Sequence, residues 1–287
     1  MKIKFIKGFL VLSIIFAASA CKKNEVENEP LKAEELIDVA YGEHEANTFD
    51  VYLPEERGDT TKVIFLLHGG WWIEGDKDSL TQHAMSLRDS GFAVVNMNYR
   101  LADTSINIHP AQQHDIAAAI NFVSSKAFEW KISSDKYGLL GVSAGAHLAL
   151  LYTYGYNSDN KIKTVVSISG PTNFMEVDFN DPALAPAIAA VDSLLGGPFD
   201  PLNPSVYIQA SPIARVSSLS KPTLILHGAY DPIVPPSQAE ALAAKLELLG
   251  VEHHIEAAYP KGHELVDAAN AQEIYGLIVH WLRDKIK

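Results

Sequence analysis

Short apolar runs alternate along the chain with segments of helical periodicity. Continuous apolar runs between turn residues predict buried strands, and they cover residues 63–67, 92–97, 137–140, 164–168 and 223–226. A last strand is predicted at 255–258, and the alternating segment 50–53, which ends at Pro54, predicts an early antiparallel strand. Strands that alternate with helices in this way predict an α/β fold with a mainly parallel sheet and helices on both faces.

Three segments have the spacing of a helix that is buried along one face. The first begins at Pro110, and its apolar residues recur at every third or fourth position. The second begins near Ser237, which forms a predicted capping box with Glu240, and it stops at Gly250. The third covers 274–286. Ligand chemistry in parallel sheets gathers at the carboxyl ends of the strands, so candidate catalytic residues are sought in the loops there.

A candidate nucleophile follows the strand predicted at 137–140. The segment 141–145 has the sequence Gly-Val-Ser-Ala-Gly, and apolar residues typical of a helix come after it. Glycines on both sides of Ser143 permit a turn tight enough to raise its hydroxyl above the sheet, as in a nucleophile elbow. Because this pattern is weak by itself, the prediction requires an oxyanion loop before Ser143, and an acid and a histidine after it.

An oxyanion loop is predicted at 68–72, His-Gly-Gly-Trp-Trp, directly after a buried strand. In acyl transfer, backbone N–H groups must point at the oxygen on which negative charge grows, and loss of one donor costs roughly 100- to 1000-fold in rate. The predicted oxyanion hole comprises Gly69, Gly70, Trp71 and Ala144. One N–H is assigned to Gly70 or Trp71, and the second to Ala144, the residue after the nucleophile.

The acid and the base follow the nucleophile in the required order. Asp231 lies in a Pro-rich turn at the end of the strand 223–226, where its carboxylate can fix the tautomer of a histidine and stabilise its charged form. His263, in the loop after the last predicted strand, is the predicted base. His227 is expected to be structural, and His147 is expected to be a helix residue satisfied by neighbouring backbone.

The first 20 residues predict a signal peptide. Lysines precede an apolar stretch at 9–18, which is short for a membrane span, and small residues follow it. Cys21, the only cysteine, comes next in a pattern that resembles a bacterial lipobox, although Ala18 stands where leucine is more usual. The resemblance implies cleavage before Cys21 and its lipidation, with an anchor in a bacterial, preferably outer, membrane. A secretory signal with an incidental cysteine is the alternative.

Composition defines the rest of the organisation. Residues 21–35 are predicted as a flexible tether, because the segment that follows the signal is charged and has few apolar residues. Residues 36–287 are enough for one α/β domain. The formal net charge of −12 argues against a nucleic-acid partner. No histidine spacing is typical of a metal site, so no metal or cofactor is predicted, and membrane contact is expected through lipidated Cys21 only.

Taken together, these motifs resemble the α/β-hydrolase superfamily, in particular its bacterial feruloyl and acetylxylan esterases, hormone-sensitive-lipase-like esterases and kynurenine formamidases. The segments that carry the resemblance are 50–54, 68–71, 75–77, 98–101, 141–149, 210–213, 227–235 and 262–263. The resemblance implies a mostly parallel sheet of about eight strands and ester hydrolysis through an acyl-enzyme. It also implies a salt bridge between Arg100 and Asp115 that braces the sheet.

An insertion at about 171–213 separates two predicted strands, and in similar hydrolases this position often carries a small cap. Its aromatic residues, Phe174 and Phe179, suit a pocket wall. Phe174 and Trp72 are therefore predicted to line the substrate pocket. A surface excursion is the alternative for the insertion, as is packing beneath the oxyanion loop for Trp72. The absence of a long amphipathic lid favours short-acyl or aromatic-acyl esters over emulsified lipid.

The leading hypothesis is a lipid-anchored serine carboxylic ester hydrolase that removes acetyl or feruloyl groups from carbohydrate outside the cytoplasm. A kynurenine formamidase-like amidohydrolase is the first alternative, but its substrate would be expected inside the cell. A prolyl-oligopeptidase-like peptidase shares the order Ser, Asp, His, but such enzymes normally carry a large propeller, which the residues before the predicted domain are too few to form. An inactive binding protein would be expected to lack one of the three residues.

Overall fold

The computed structural model describes Met1 and residues 31–178 and 181–287. The chain divides into two units, residues 1–30 and 31–287, and the second contains the sheet and its helices. The predicted signal peptide, Cys21, the first part of the predicted tether and Phe179 therefore lie outside the described residues. Among the residues that are described, no helix is both long and apolar enough to cross a membrane.

Eight strands form one sheet in the described part of the chain. They are β1 (Glu34–Ala40), β2 (Thr48–Leu53), β3 (Val63–Leu67), β4 (Ala93–Met97), β5 (Tyr137–Val142), β6 (Ile162–Ile168), β7 (Thr223–Gly228) and β8 (His253–Tyr259). Their order is β1-β2-β4-β3-β5-β6-β7-β8. The pairs β1–β2 and β2–β4 are antiparallel, and the other pairs are parallel. The prediction of a mostly parallel sheet of about eight strands is confirmed.

Helices cover both faces of this sheet. They are α1 (Thr81–Asp89), α2 (Ala111–Trp130), α3 (Ala144–Gly155), α4 (Ala185–Leu195), α5 (Ser205–Ala210), α6 (Pro212–Arg215), α7 (Pro236–Leu248) and α8 (Ala271–Lys285). In β3, Phe65 packs into the core with α2, α3 and α7, whereas Ile64 and Leu66 pack with α1 and α8. Because both faces are buried, the central strands are continuously apolar rather than alternating.

Strand β1 was not predicted, and it begins at Glu34, inside the range 21–35 that composition assigned to a tether. Most of its side chains are exposed, so it has no apolar run. Arg57 holds the strand instead: its Nη2 lies 2.8 Å from Glu34 Oε2, and its Nη1 donates to the carbonyl of Lys32 at 2.6 Å. These contacts between distant segments determine where the folded unit begins.

Helix α7 starts without the capping box predicted at Ser237 and Glu240, and that prediction is wrong. The helix begins at Pro236, and no side chain caps it. Proline is well suited to the first turn because the N–H that it lacks would have no intrahelical acceptor there. Beyond the other end of the helix, Gly250 has a φ of +69°.

The insertion between β6 and β7 is helical. It contains 3₁₀ helices at Phe174–Glu176 and Pro182–Leu184, followed by α4, α5 and α6. Gln238 of α7 holds its beginning, because Gln238 Oε1 accepts hydrogen bonds from the N–H groups of Thr172 at 2.8 Å and Asn173 at 3.1 Å. Buried side chains of α4 and α5 join the same core as α3. The insertion is therefore a packed element rather than a surface excursion.

The salt bridge between Arg100 and Asp115 is confirmed. Arg100 Nη2 lies 2.8 Å from Asp115 Oδ1 and donates to the carbonyl of Ala111 at 3.0 Å. The N–H of Arg100 also donates to Asp115 Oδ2 at 2.8 Å. These bonds join the segment after β4 to the first two turns of α2.

A buried ion network fastens the loop after β3 to the antiparallel edge of the sheet. Lys77 Nζ lies 2.9 Å from Asp38 Oδ1 and 3.1 Å from Asp50 Oδ1, and Asn96 Nδ2 donates to the Lys77 carbonyl at 2.7 Å. The Lys77 and Asp50 side chains are only 6% and 4% exposed. Burial alone would lower the pKa of Lys77, but its bonds to Asp38 and Asp50 raise that pKa well above its ordinary value.

Replacement of Lys77 by methionine would leave the Asp50 carboxylate buried without its counter-ion. We expect the free energy of unfolding to fall by about 3–5 kcal/mol, measured by urea denaturation at pH 7.5. Lys126→Met is the control, because Lys126 forms a solvent-exposed pair with Glu129 at 2.8 Å, worth at most about 1 kcal/mol. An equally small loss from both variants would show that the buried network contributes little.

Candidate active site

Ser143 lies at the junction of β5 and α3, with φ 54° and ψ −119°. Such a conformation is strained for any residue other than glycine. The backbones around it approach too closely for side chains: a Cβ on Gly141 would lie 2.2 Å from the carbonyl oxygen of Gly145, and one on Gly145 would lie 2.1 Å from that of Leu67. The Ser143 N–H donates to the carbonyl of Ile168 at 2.8 Å. This packing presents the serine at the carboxyl end of the strand.

The three residues predicted as nucleophile, base and acid meet at this edge of the sheet. His263 Nε2 lies 2.8 Å from Ser143 Oγ, and His263 Nδ1 lies 2.8 Å from Asp231 Oδ2. Both are hydrogen-bond distances. The His263 side chain is 13% exposed, whereas that of Asp231 is fully buried. A histidine in this position can take a proton from the serine and deliver it to a leaving group.

Both carboxylate oxygens of Asp231 accept hydrogen bonds. Oδ1 accepts from the N–H groups of Ile233 and Val234, each at 2.9 Å, and Oδ2 faces His263 and also His227 Nε2 at 3.2 Å. Burial alone would raise the pKa of Asp231, but the bonds from His227, His263 and the two backbone N–H groups outweigh it and hold that pKa well below its ordinary value. The acid therefore stays ionised and can stabilise a protonated His263.

Two side chains outside the predicted set support the acid and the base. His227 Nε2 faces the carbonyl of Val234 at 2.8 Å as well as Asp231, so this nitrogen carries the hydrogen and donates it. Ser169 Oγ donates to the carbonyl of His263 at 2.9 Å. The sequence pointed to His227 only as a structural residue, and no motif marks Ser169. The sequence signal that could have identified His227 and Ser169 is their position at the carboxyl ends of predicted strands.

The predicted oxyanion loop turns back beside the nucleophile. Its φ angles are positive at Gly70 (116°), Trp71 (54°) and Trp72 (65°). A Cβ on Gly70 would lie 2.1 Å from the carbonyl oxygen of Glu74, so only glycine fits there. In the described part of the chain, the N–H groups of Gly70 and Trp71 donate no backbone hydrogen bond. These two groups remain free to bind an oxygen.

The remaining groups of the predicted oxyanion hole flank Ser143. Ala144 is the first residue of α3, so its N–H has no intrahelical acceptor. A Cβ on Gly69 would lie 3.3 Å from Ser143 Cβ, which shows how close the loop is to the nucleophile. His68 Nδ1 lies 2.6 Å from the carbonyl oxygen of Gly69. The carbonyl of Gly69 and the N–H of Gly70 belong to the same trans peptide and point in opposite directions. The bond to His68 therefore turns the Gly70 N–H away from His68.

His147 is fully buried and links the oxyanion loop to the insertion. Its Nε2 lies 2.8 Å from the carbonyl oxygen of Ala210, and its Nδ1 accepts from Trp72 Nε1 at 3.1 Å. Because Nδ1 accepts a hydrogen bond, the ring is neutral with its hydrogen on Nε2, and burial lowers the pKa of His147 to about 3. The Trp72 ring packs edge-on against Phe174, with 5.5 Å between ring centroids. His147 is thus satisfied by a distant carbonyl and an indole, not by neighbouring backbone as predicted.

Two cavities meet at the site. The larger, of about 600 Å³, contains the nucleophile and His263, and the smaller, of about 80 Å³, lies beneath the insertion. Trp71 and Ile233 line both. Trp72 and Phe174, the residues predicted for the substrate pocket, line the smaller one although each is almost fully buried. Residues of the insertion therefore form one wall of the smaller cavity. No cluster of potential metal ligands occurs among the described residues.

The amino-acid sequence is similar to a known protein family and to several hydrolases. The family model BD-FAE matches residues 49–246, a range that includes Ser143 and Asp231. The probable carboxylic ester hydrolase LipM of Mycobacterium tuberculosis is 26% identical over 78% of this chain and 54% of its own length. Kynurenine formamidase of Danio rerio is 31% identical over 55% of this chain and 53% of its own. The chain thus spans about half the length of these relatives.

A solved structure supports the same architecture. The truncated form of a carbohydrate esterase from gut microbiota superposes with a TM-score of 0.76 at 22% identity, over 88% of this chain and 96% of that one. At this identity the similarity establishes the fold. The predicted α/β-hydrolase fold is confirmed.

The buried neutral His147 makes stability depend on pH. A histidine in the unfolded chain has a pKa near 6.5, against about 3 here, so between these values the unfolded chain binds the extra proton. Stability is therefore fully present above pH 6.5 and falls by up to about 1.4 kcal/mol per pH unit below it. Urea unfolding at pH 7.5, 6 and 5 measures this slope.

The test is a comparison of slopes, because the partly buried His109, whose pKa is also lowered by burial, contributes in the same sense. We expect His147→Gln to flatten the pH dependence, whatever it does to stability at pH 7.5. His280→Gln, at an exposed position of α8, is expected to keep the original slope. Identical slopes for all three proteins would contradict a neutral His147.

Proposed function

This chain belongs to the BD-FAE family, and we propose from the geometry of its site that it is a serine ester hydrolase acting through an acyl-enzyme. The observation that carries the proposal is the continuous hydrogen bonding from Ser143 Oγ to His263 and on to the buried Asp231, with both distances at 2.8 Å. The curated relatives, which include a probable carboxylic ester hydrolase, support the same reaction class.

In the proposed reaction, Ser143 Oγ attacks the ester carbonyl carbon while His263 Nε2 takes its proton. The carbonyl oxygen becomes an anion that accepts hydrogen bonds from Ala144 and the oxyanion loop. As the bond to the alcohol breaks, His263 gives its proton to the leaving oxygen, and the acyl-enzyme remains. Water then attacks the acyl group with His263 again as base, which releases the acid and restores Ser143.

We further propose that the substrate is a carbohydrate ester, for which the sequence predicts acetyl and feruloyl as the candidate acyl groups. The larger cavity has room for a sugar beside His263, and its lining includes no lysine or arginine, so nothing in it favours an anionic alcohol. The gut-microbiota protein that shares this fold is itself named a carbohydrate esterase. A neutral, hydroxyl-rich alcohol outside the cytoplasm accords with the predicted signal peptide.

Formamide hydrolysis is the second candidate function, because kynurenine formamidase of Danio rerio is among the more similar curated proteins. The same three residues could attack a formyl group, with an amine as the leaving group. Parallel assays with N-formylkynurenine and an acetylated xylo-oligosaccharide separate the two. A higher kcat/KM for the formamide would replace the ester proposal.

Replacement of Ser143 by alanine tests the nucleophile. Loss of this hydroxyl from a working triad is expected to lower turnover of p-nitrophenyl acetate by about a million-fold. Ser86→Ala is the control, since Ser86 is exposed on α1 and lines neither cavity, and we expect its activity to stay near that of the original protein. Activity that survives in Ser143→Ala would mean that another group attacks the ester.

We also propose that the chain is exported and anchored in a bacterial, preferably outer, membrane through Cys21. The basic start, the apolar stretch and the lipobox-like pattern support this location. Acylation at both the thiol and the new amino group would supply more than one chain, which stable anchoring requires.

Cys21→Ala tests the anchor in cells fed an alkyne-bearing fatty acid. The original protein is expected in the membrane fraction with the label, and the variant without label and out of that fraction. Lys22→Ala, which leaves the cysteine in place, is expected to behave as the original. Retention of Cys21→Ala in the membrane fraction would show that something other than lipid holds the protein there.

A further inference from the structure

We infer from the unequal cavities at the site that this chain selects esters of short aliphatic acids and rejects aromatic acyl groups such as feruloyl. The inference rests on the proposed esterase function. It narrows the candidate acyl groups to acetyl and other short aliphatic groups, and it excludes feruloyl.

The position of His263 decides which cavity receives which half of the ester. His263 must give its proton to the departing alcohol, so the alcohol lies beside it. His263 and its neighbour Glu264 line the larger cavity and not the smaller one. The acyl group extends to the other side of the carbonyl carbon, past Trp71 and Ile233, the two side chains that both cavities share. The smaller cavity is therefore the acyl pocket.

The volume of the smaller cavity limits the acyl group. It measures about 80 Å³, whereas an apolar cavity known to bind benzene measures about 150 Å³. An aromatic ring therefore does not fit. A methyl group or a short alkyl chain does, and the mainly apolar walls, among them Phe174 and Val191, match such a group.

The walls of this pocket are held in place. Trp72 is 3% exposed and Phe174 is 1% exposed. Trp72 Nε1 donates to the buried His147, and the N–H of Phe174 donates to Ser211 Oγ at 2.9 Å. Enlargement of the pocket would break buried hydrogen bonds, and each broken bond would leave a polar group unpaired. The pocket is thus expected to keep its size when substrate binds.

Acyl selectivity is measured with the full chain and four esters of one alcohol: p-nitrophenyl acetate, butyrate, octanoate and ferulate. Since the leaving group is constant, differences in kcat/KM report on the acyl group. We expect kcat/KM for acetate and butyrate to exceed kcat/KM for octanoate and ferulate by about 100-fold or more. Discrimination of this size is what a pocket can achieve against a group that is too large for it.

Variants of α4 test whether this pocket causes the selectivity. Ala187 lines it, and Ala187→Leu is expected to lower kcat/KM for butyrate at least about tenfold relative to acetate. Val191→Ala removes two methyl groups from the wall of the pocket. This variant is expected to raise kcat/KM for octanoate relative to that for acetate. Ala189→Leu is the matched control, because Ala189 lies on the same helix, is exposed and does not line the pocket.

Labelling of Ser143 by a fluorophosphonate separates the two ways in which the inference can fail. Ferulate or octanoate hydrolysed as fast as acetate, or an Ala187→Leu profile equal to that of Ala189→Leu, would overturn the acyl pocket while the labelled esterase stands. Absence of both labelling and hydrolysis in a folded protein would overturn the proposed function itself. Circular dichroism confirms that each variant is folded.

Discussion

The close approach of three backbones at Gly141 and Gly145 is the constraint on which the site depends. Because no side chain fits at either glycine, β5 runs directly into α3 beside β3, and Ser143 is held in a strained conformation at the junction. The same approach places the free N–H of Ala144 next to the nucleophile. The strain is offset by the surrounding sheet, whose central strands are buried on both faces.

A buried charge organises the other half of the site. The Asp231 side chain is fully buried. Its loss of hydration is compensated by hydrogen-bond donors from its own turn, from His227 and from His263. A carboxylate that accepts so many hydrogen bonds has little freedom to rotate, so it also fixes the ring of His263. Ser169 restrains the base from the other side, through the His263 carbonyl. The geometry of the proton transfer is therefore set before any substrate binds.

In the proposed reaction, the insertion supplies a wall of the acyl pocket and no reacting group. His147 joins it to the oxyanion loop, through Ala210 on one side and Trp72 on the other. Because His147 is buried in its neutral form, the free energy of unfolding is expected to decrease at acid pH. The wall formed by Trp72 and Phe174 is held by the bond from Trp72 to His147 and by the bond from the Phe174 N–H to Ser211. In the proposed reaction, this wall limits the size of the acyl group, while the larger cavity at His263 holds the alcohol.

The sequence determined most of the fold and the candidate triad, because strand periodicity and a glycine pair are properties of neighbouring residues and the order Ser143, Asp231, His263 is visible along the chain. Features built from distant segments were not predictable. Strand β1 is formed by pairing with β2 and is tied at its start by Arg57, and His147 is satisfied by a carbonyl of the insertion. The size of the acyl pocket likewise depends on how α4 packs against the loop after β3. Only the tertiary structure decides such distances, since they are set by packing between elements that no local pattern relates.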